Sequence, residues 1–515
     1  MRNADVTQVR ITGGMWYGYQ QTVKNNTVPY QWAVLNDEVE GVPKSGAIEN
    51  FRIAVGLSRG EYYGTCFQDS DVGKWLEGVA YLLAWAPDPA LEAKADRVID
   101  ILAKAQQPDG YLNTYFTVVE PEGRLRNLRE CDELYCFGHL AEAAAAHAQA
   151  TGKRKLLAIM CRYADWFCDR LGPDEGQIPA CDGHPEAELA FVRLYEATGE
   201  ERYLRQAGFQ LNVRGAQPYY YDLEWECNGR KVFHPHLQGE KPGDNREYDL
   251  SLCPPRQLDR PMGHAVKLCY LLSGMAAYSL YAHDGEMLAA CRRVLKAIAE
   301  KQQYITGAIG ATRHKEAFTR DYHLPNDRAY AESCASVALA ATLRWMLRNE
   351  PDAAYADEME RVLYNACAAG ISGDGRRFFY ANPMEVYPLD TEADPDYAAV
   401  KPVRQAWFRC ACCPPNLTRL FTGLAAYLYT YDADTVYVHL YAASEAAFSP
   451  APGLEVALCQ TTDYPWEGSV RLHVCTTGPV RIGLRIPGWC EGRAAIRVNG
   501  RDAEPPLEKG YAMLC

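Results

Sequence analysis

Two short segments of this chain have the residue types of a metal site. One is a Cys-x-Cys-Cys pattern at 410–413, and the other is a Glu-x-Cys pattern at 332–334. Zinc accepts thiolate sulfur and carboxylate oxygen as ligands and prefers four of them in a tetrahedral array. A thiolate held in this way is also a nucleophile, so such a site could carry chemistry. The candidate ligands are Glu332, Cys334, Cys412 and Cys413.

The spacing of these residues leaves a second interpretation open. Neither segment has the Cys-x-x-Cys spacing of a zinc finger or ribbon, so a small structural zinc module is disfavoured. Residues two positions apart, such as Glu332 and Cys334, point to different sides of a regular helix. Both reach one ion only if the helix begins irregularly there. The alternative is a set of reduced cysteines packed in a hydrophobic core.

One acidic residue, Glu316, lies in a predicted loop among glycine, threonine and aromatic residues at 308–318. Burial beside apolar surface favours the neutral form of a carboxyl group, which is the form that donates a proton to a leaving group. Glu316 is therefore a candidate general acid. The alternative is a solvated glutamate beside Lys315.

Three histidines, His139, His184 and His264, follow a glycine and begin or lie within predicted helices. Neutral imidazoles that face a central pocket can hydrogen-bond sugar hydroxyls. Aromatic clusters at 219–221 and 378–380 offer rings that stack on the apolar faces of sugars. Both features also fit ordinary roles, because buried histidines are often structural and tyrosine-rich surfaces bind proteins equally well.

Helices must position most of these side chains. From about residue 71 to residue 431 apolar residues recur with a 3.6-residue period, and glycines such as Gly152 and Gly199 separate paired helices. Such hairpins stack into an open solenoid or close into a toroid, and the irregular insertions at 214–262 and 371–411 favour a closed enzyme barrel. The predicted helices are 16–36, 71–86, 89–107, 131–150, 153–171, 186–198, 201–213, 263–282, 285–302, 329–348, 352–369 and 416–431.

After about residue 433 the apolar period changes to two, which predicts β-strands at a spacing typical of a β-sandwich. A strand near 6–11 has no other sheet to join, so we expect it to pair with this one. We expect the sandwich to be truncated, because residues 510–515 form an apolar pattern with no closing strand. The predicted strands are 435–441, 454–458, 469–474 and 480–486, and the predicted domains are an N-terminal strand at 1–15, a barrel at 16–432 and a β-sandwich at 433–515.

Composition and charge disfavour several classes of protein. The chain has 66 acidic and 53 basic residues in 515, a formal net charge of −13, and no basic stripe, so neither nucleic acid nor an anionic membrane is an expected partner. Its apolar stretches are too short to span a bilayer. The first residues lack the apolar run of a secretory signal, and several of the 19 cysteines fall in helical patterns that suit a reducing compartment. We expect a cytoplasmic protein.

Six motifs occur in a specific order along nearly the whole chain. They read FQDSDV at 67–72, DGHPE at 182–186, YHLPND at 322–327, ESCAS at 332–336, CACCP at 410–414 and LRIPGW at 484–489. In these motifs the chain resembles glycoside hydrolase family 127, the β-L-arabinofuranosidases. The resemblance implies an (α/α)6 barrel followed by β-sandwich domains.

The resemblance also implies roles for single residues. Cys412 is similar in position to the nucleophile of the family, and Glu316 to its acid/base residue. Zn²⁺ is expected on Glu332, Cys334, Cys412 and Cys413. The residues expected around the sugar are His139, His184, His264 and Tyr380.

The expected activity is that of a retaining, zinc-dependent exo-glycosidase that releases β-L-arabinofuranose from plant-type arabinosides through a cysteine thioglycosyl intermediate. One alternative is the same mechanism on another sugar, such as the branched acidic sugar of a complex pectin. A second is a non-catalytic glycan-binding protein stapled by zinc, and a third is an α/α-barrel epimerase that uses histidine pairs without zinc. The expected partner is a small carbohydrate, and a homodimer is left open.

Overall fold

The computed structural model describes residues 1–231, 241–394, 397 and 399–515. Helix α1 runs through a π-helical turn at Val23–Thr27 into α2, and π-helical turns also extend α13 and α15. The α-helices are α1 (Gly14–Thr22), α2 (Val28–Leu35), α3 (Ala47–Ala54), α4 (Asp69–Trp85), α5 (Pro89–Ala105), α6 (Tyr115–Val118), α7 (Glu133–Thr151), α8 (Lys155–Arg170), α9 (Ala187–Thr198), α10 (Glu201–Val213), α11 (Tyr220–Cys227), α12 (Ala265–Ala282), α13 (Gly285–Ala297), α14 (Ser333–Asn349), α15 (Ala353–Arg361), α16 (Asp390–Ala393) and α17 (Cys413–Thr422).

Six of these helices form a closed inner ring. Helix α4 packs against α7, α7 against α9, α9 against α12, α12 against α14, α14 against α17, and α17 back against α4. Helices α5, α8, α10, α13 and α15 each pack outside the inner helix that precedes them, and α1 contacts α17. The closed ring rules out an open solenoid, and the predicted barrel of inner and outer helices is confirmed.

The burial of each helix follows its place in the barrel. Inner helix α7 is buried continuously from Glu133 to His147, whereas outer helix α8 buries one face and leaves the other to solvent. That difference is the expected one between a fully enclosed helix and an amphipathic surface helix. Helices α4 and α7 approach closely at Gly73, where a Cβ atom would lie 2.8 Å from the carbonyl carbon of His139.

The strands of the β-rich region form two main sheets. The sheet orders are β1-β3-β4-β8-β12-β11 and β2-β5-β6-β7, with a separate β9-β10 pair. The pairs are antiparallel except for the parallel pair β4–β8. The strands are β1 (Arg2–Asn3), β2 (Val9–Ile11), β3 (Tyr429–Tyr431), β4 (Thr435–Val438), β5 (Ser444–Ala451), β6 (Leu454–Thr462), β7 (Val470–Thr476), β8 (Arg481–Arg485), β9 (Ile496–Val498), β10 (Arg501–Ala503), β11 (Leu507–Glu508) and β12 (Tyr511–Leu514).

The two main sheets pack face to face, with the Phe448 ring of β5 lying 5.7 Å from Tyr429 and 5.1 Å from Tyr431 of β3. The N-terminal segment joins both sheets, since β1 pairs with β3 and β2 pairs with β5. The predicted pairing of the N-terminal strand with the sandwich is therefore confirmed. The domain boundaries stay predictions, and β3 lies on the barrel side of the predicted boundary at 433.

Two sequence predictions need correction, and two elements were not predicted. The last inner helix ends at Thr422 rather than at 431, because Gly423 ends it and 429–431 pairs as a strand. Residues 511–514 form a strand bonded to β8, so the prediction that this segment has no closing strand is wrong. The insertion at 214–262 contains helix α11, and strand β5 was not anticipated. Within the described residues, no helix has both the length and the apolar character needed to cross a bilayer.

Candidate functional site

The candidate site lies where inner helices of the barrel begin. Glu332 and Cys412 are the N-cap residues of α14 and α17, and His264 is the N-cap residue of α12. The N-terminal end of a helix carries a partial positive charge, which favours carboxylates and thiolates in the first turn. The barrel therefore directs three helix N-termini toward the same group of side chains.

The four predicted metal ligands do converge. Their ligand atoms, one from each of Glu332, Cys334, Cys412 and Cys413, all lie within 4.8 Å of one another. The Sγ of Cys413 lies 3.2 Å from that of Cys334 and 3.9 Å from that of Cys412. Glu332 Oε1 lies 3.6 Å from the sulfurs of Cys412 and Cys413. The two segments therefore form one cluster, as both a metal site and a group of packed reduced cysteines would require.

The backbone explains how two residues so close in sequence reach one point. Glu332 has φ −59° and ψ 137°, which is extended, and α14 begins only at Ser333. Glu332 and Cys334 are therefore not two positions apart on one regular helix. The predicted helix start at 329 is wrong by four residues, and this correction removes the main objection to a shared ion.

The donor set suits zinc. Four sulfur and oxygen ligands around zinc at ~2.3 Å would place the sulfurs ~3.8 Å apart, which matches the 3.9 Å between Cys412 and Cys413 and exceeds the 3.2 Å between Cys334 and Cys413. Glu332 Oε2 is buried and has no hydrogen-bond partner in the described part of the chain, and a cation would satisfy it. The types of donor atom and this unpartnered oxygen are therefore compatible with a bound metal ion.

The pKa values of two groups in the cluster, Glu332 and Cys334, are shifted in opposite directions. Burial, followed by the neighbouring Glu316 and Cys412, raises the pKa of Glu332 well above its ordinary value. Burial also raises the pKa of Cys334, but hydrogen bonds from Cys412, Cys413 and Asn416 outweigh it, so the net shift is downward. The buried group thus carries excess negative charge when ionised, which a bound cation would offset.

Cys412 is the most accessible of the three clustered thiols, since Cys334 and Cys413 are buried. Its Sγ lies 3.1 Å from the hydroxyl of Tyr380, a residue predicted from the family resemblance. Cys410 also lies near that hydroxyl, with 4.0 Å between Sγ and Oη. A phenol at this distance can orient a substrate hydroxyl or the sulfur itself.

Glu316 lies beside this cluster rather than in solvent. Its Oε2 is 2.7 Å from His264 Nε2, and its Oε1 accepts a hydrogen bond of 2.9 Å from the Tyr330 hydroxyl. His264 Nδ1 accepts from the backbone N–H of Val266, so its Nε2 carries the proton that faces Glu316. Ligand atoms of His264, Glu316 and Glu332 lie within 4.8 Å of one another, which places the Glu316 carboxyl next to the cysteine cluster.

The environment of Glu316 differs from the expectation of an apolar loop. Burial raises its pKa, but the interactions with His264 and the hydrogen bond from Tyr330 outweigh burial, so the pKa lies below its ordinary value. The backbone is also unusual, with φ 55° at Lys315 and 52° at Glu316. Left-handed non-glycine residues are uncommon and occur at active sites more often than elsewhere.

The other two histidines border the same region. Rings of His139 and His184 lie 4.5 Å and 4.4 Å from the ring of Tyr135, and the His184 ring lies 6.2 Å from that of His264. Burial holds the pKa of both His139 and His184 well below the ordinary value, so both are neutral. His184 precedes α9 rather than lying within it, which corrects the sequence expectation.

Several polar residues of the site were not singled out from the sequence. Lys74 Nζ donates to the Tyr135 hydroxyl at 2.7 Å, and Tyr330 holds Glu316. Asn416 Nδ2 donates to Cys334 Sγ at 3.1 Å. Two of these residues lie close in sequence to the predicted ligands, and that proximity could have identified them. Tyr330 precedes Glu332 by two positions, and Asn416 follows Cys413 by one helical turn.

Two family models match the chain. The model described as the β-L-arabinofuranosidase GH127 catalytic domain matches residues 8–426, and the one described as the GH127 middle domain matches residues 435–515. Together they cover both the barrel and the β-rich region.

Known proteins are similar over nearly the whole chain. The non-reducing end β-L-arabinofuranosidase of Bifidobacterium longum subsp. longum is 40% identical, covering 98% of this chain and 79% of that protein. The crystal structure of Ara127N-Se, a GH127 β-L-arabinofuranosidase from Geobacillus stearothermophilus T6, is 47% identical with a TM-score of 0.94, covering 98% and 79%. The GH127 β-arabinofuranosidase BT3674 is 33% identical with a TM-score of 0.86, covering 100% and 78%.

Proposed function

Because the chain belongs to glycoside hydrolase family 127, we propose that this glycoside hydrolase is a retaining, zinc-dependent exo-β-L-arabinofuranosidase. One observation of the site supports this mechanism in addition to family membership. The four-residue metal cluster and the Glu316 group share Glu332, which lies within 4.8 Å of the ligand atoms of both. The proposed nucleophile and proton donor thus both lie close to one carboxylate.

Cys412 is the proposed nucleophile. Zinc, when bound by Glu332, Cys334, Cys412 and Cys413, would keep these thiols deprotonated at neutral pH. In the first step the Cys412 sulfur forms a bond to the anomeric carbon while the bond from that carbon to the aglycone oxygen breaks. Cys412 is suited to this role because its side chain is more exposed than those of Cys334 and Cys413.

Glu316 is the proposed acid and base. Its protonated carboxyl gives a proton to the departing oxygen, and its ionised form then takes a proton from the water that displaces the sulfur. Two inversions at the anomeric carbon give net retention. The low pKa of free Glu316 requires substrate to favour the protonated form, and closure of the site over a sugar removes water and does so.

The neutral histidines and Tyr380 are proposed to bind the sugar. Imidazoles offer one donor and one acceptor each, which suits the paired hydroxyls of a furanose ring. His139 and His184 stay neutral because they are buried, so they bind hydroxyls rather than anions. A homodimer and a cytoplasmic location stay predictions made from the sequence.

The first test replaces the nucleophile. Cys412→Ser keeps the shape of the side chain but removes the thiolate, so hydrolysis of an aryl β-L-arabinofuranoside should fall by at least ~10³-fold. Cys475→Ser is the matched control, because Cys475 is exposed on β7, and it should keep full activity.

Three outcomes would contradict parts of the proposal. Retained activity in Cys412→Ser would exclude the cysteine nucleophile. Purified active protein with no bound metal would favour an epimerase-like mechanism. Activity on another aryl glycoside alone, in a panel of furanosides and pyranosides, would keep the mechanism and change the sugar.

A further inference from the structure

A buried amide connects the thiolate cluster to the centre of the barrel. Asn416, in the first turn of α17, donates from Nδ2 to Cys334 Sγ at 3.1 Å. Its other end, Oδ1, accepts from Arg419 Nε at 2.8 Å. Asn416 is 1% exposed, so water does not compete for either bond. Both ends of the amide are thus engaged, and its orientation is determined.

The other two guanidinium nitrogens of Arg419 also have polar partners. Its Nη1 contacts Glu77 Oε2 at 2.8 Å and Glu142 Oε2 at 2.9 Å. Its Nη2 donates to the Tyr270 hydroxyl at 3.0 Å. These three partners lie on α4, α7 and α12, so the guanidinium is fixed by three inner helices besides its own.

The two neighbours of Asn416 need different hydrogen-bonding partners. The sulfur of Cys334 needs a hydrogen-bond donor, and the guanidinium of Arg419 offers only donors and needs an acceptor. A primary amide meets both demands at once, whereas a carboxylate accepts only and an aliphatic side chain does neither. The residue type therefore matches its two neighbours.

We propose that Asn416, held in place by Arg419, is a positioning residue that sets the orientation of the Cys334 sulfur toward the metal. This inference rests on the proposed function, since it presupposes a metal ion at the cysteine cluster. Partners of this kind hold a ligand in one rotamer before the metal arrives, and their loss lowers metal affinity. Cys334 is the ligand in most need of such support, because the other two cysteines are neighbours in the chain.

The test measures metal binding rather than activity. Asn416→Leu removes both polar ends and keeps the same branched arrangement of heavy atoms, and Asn416→Asp keeps the acceptor for Arg419 but removes the donor to Cys334. Both variants should bind Zn²⁺ about 10–100-fold more weakly than the unmodified protein in a chelator competition. With Co²⁺ in place of Zn²⁺, the sulfur-to-cobalt absorption bands should also shift in position or intensity.

Asn349→Leu is the matched control. Asn349 also donates two hydrogen bonds, at 2.9 Å to Ala276 O and 3.0 Å to Trp345 O, but it lies at the opposite end of α14. Its replacement should lower the thermal midpoint and leave the Zn²⁺ affinity and the Co²⁺ spectrum unchanged.

The outcomes separate this inference from the proposed function. Unmodified protein that binds no metal at the cluster would overturn both. Unmodified protein that binds Zn²⁺, with unchanged affinity and an unchanged Co²⁺ spectrum in a folded Asn416 variant, would overturn the inference alone. An equal loss of affinity in Asn349→Leu would also overturn it, because the effect would then come from general destabilisation.

Discussion

Glu316 is held by two donors at once, His264 at Oε2 and Tyr330 at Oε1. Such bonds stabilise the carboxylate and orient it, but they also make its protonated form less available in the free protein. The residue can still serve as a proton donor if a bound sugar displaces water and alters these contacts. At the residue scale, therefore, the decisive question is whether departure of the aglycone depends on Glu316.

Glu316→Gln should show that dependence through the leaving group. Hydrolysis of a substrate with a poor alkyl leaving group should fall about 10²–10⁴-fold, because that oxygen needs a proton. A dinitrophenyl glycoside needs no proton for departure, so its first step should lose much less, as a pre-steady-state burst of phenolate would show. Glu286→Gln is the control, because its side chain is 85% exposed and remote from the site.

Equal losses with both leaving groups would contradict the assignment. Such a result would mean that Glu316 only supports the shape of the site. Added azide should speed the second step in the variant, since an anionic nucleophile needs no general base.

At the scale of elements, the site depends on how closely the inner helices pack. His139 lies on α7, and Gly73 of α4 packs against the turn of α7 that contains His139. A bulkier residue at this contact would push the two helices apart and move the imidazole. Interiors are close-packed, so such a shift is resisted by the whole ring.

Gly73→Ala should therefore destabilise the protein. Its Cβ would lie 2.8 Å from backbone atoms of His139 and Leu140, and overpacking of this kind costs ~1–3 kcal/mol. The thermal midpoint should fall, and the KM for substrate should rise as His139 moves.

Gly18→Ala is the matched control for that prediction. Gly18 also lies inside a helix, α1, but a Cβ there meets nothing within 4 Å. The same substitution should stabilise the protein by up to ~1 kcal/mol, because alanine has the higher helix propensity. A midpoint that rises in both variants would contradict the close-packing argument.

For the whole molecule, one buried arginine joins the barrel to the β-rich region. Arg485 of β8 is fully buried, its Nη1 is 2.5 Å from Asp357 Oδ1, and its Nη2 bonds Glu360, with both acids on α15. Its Nε also donates to His439 O at 2.6 Å. Trp489 of the same LRIPGW motif donates to Glu360 at 3.0 Å, which gives that motif a structural role.

Arg485→Met should strongly weaken the contact between the barrel and the β-rich region. The change removes the guanidinium that pairs with the buried Glu360 and the half-buried Asp357, and breaking a buried pair in this way costs ~3–5 kcal/mol. The thermal midpoint should fall, and the two regions should unfold in separate transitions by calorimetry.

Arg481→Met on the same strand is the control, because its pair with Asp434 is exposed, and its midpoint should stay unchanged. If the two variants lost stability equally, the contact between the barrel and the β-rich region would not depend on Arg485.

The sequence by itself determined the class of elements and the types of reactive group. The helical period, the change to period two, and the glycines between helices follow from local preferences that short segments express alone. The Cys-x-Cys-Cys pattern and its partner at 332–334 also indicated a candidate metal site, because thiolates and carboxylates are zinc ligands, with packed reduced cysteines as the alternative. These inferences needed no knowledge of distant contacts.

Only the tertiary structure decided how those groups meet. Closure of six inner helices brings residues 332–334 and 412–413 to one point, and the extended backbone at Glu332 resolves a spacing that looked unfavourable. The electrostatic state of Glu316 depends on His264 and Tyr330, which belong to other elements. A pKa or a ligand geometry depends on the neighbours in space, and those are set by the packing of the barrel rather than by order in the chain.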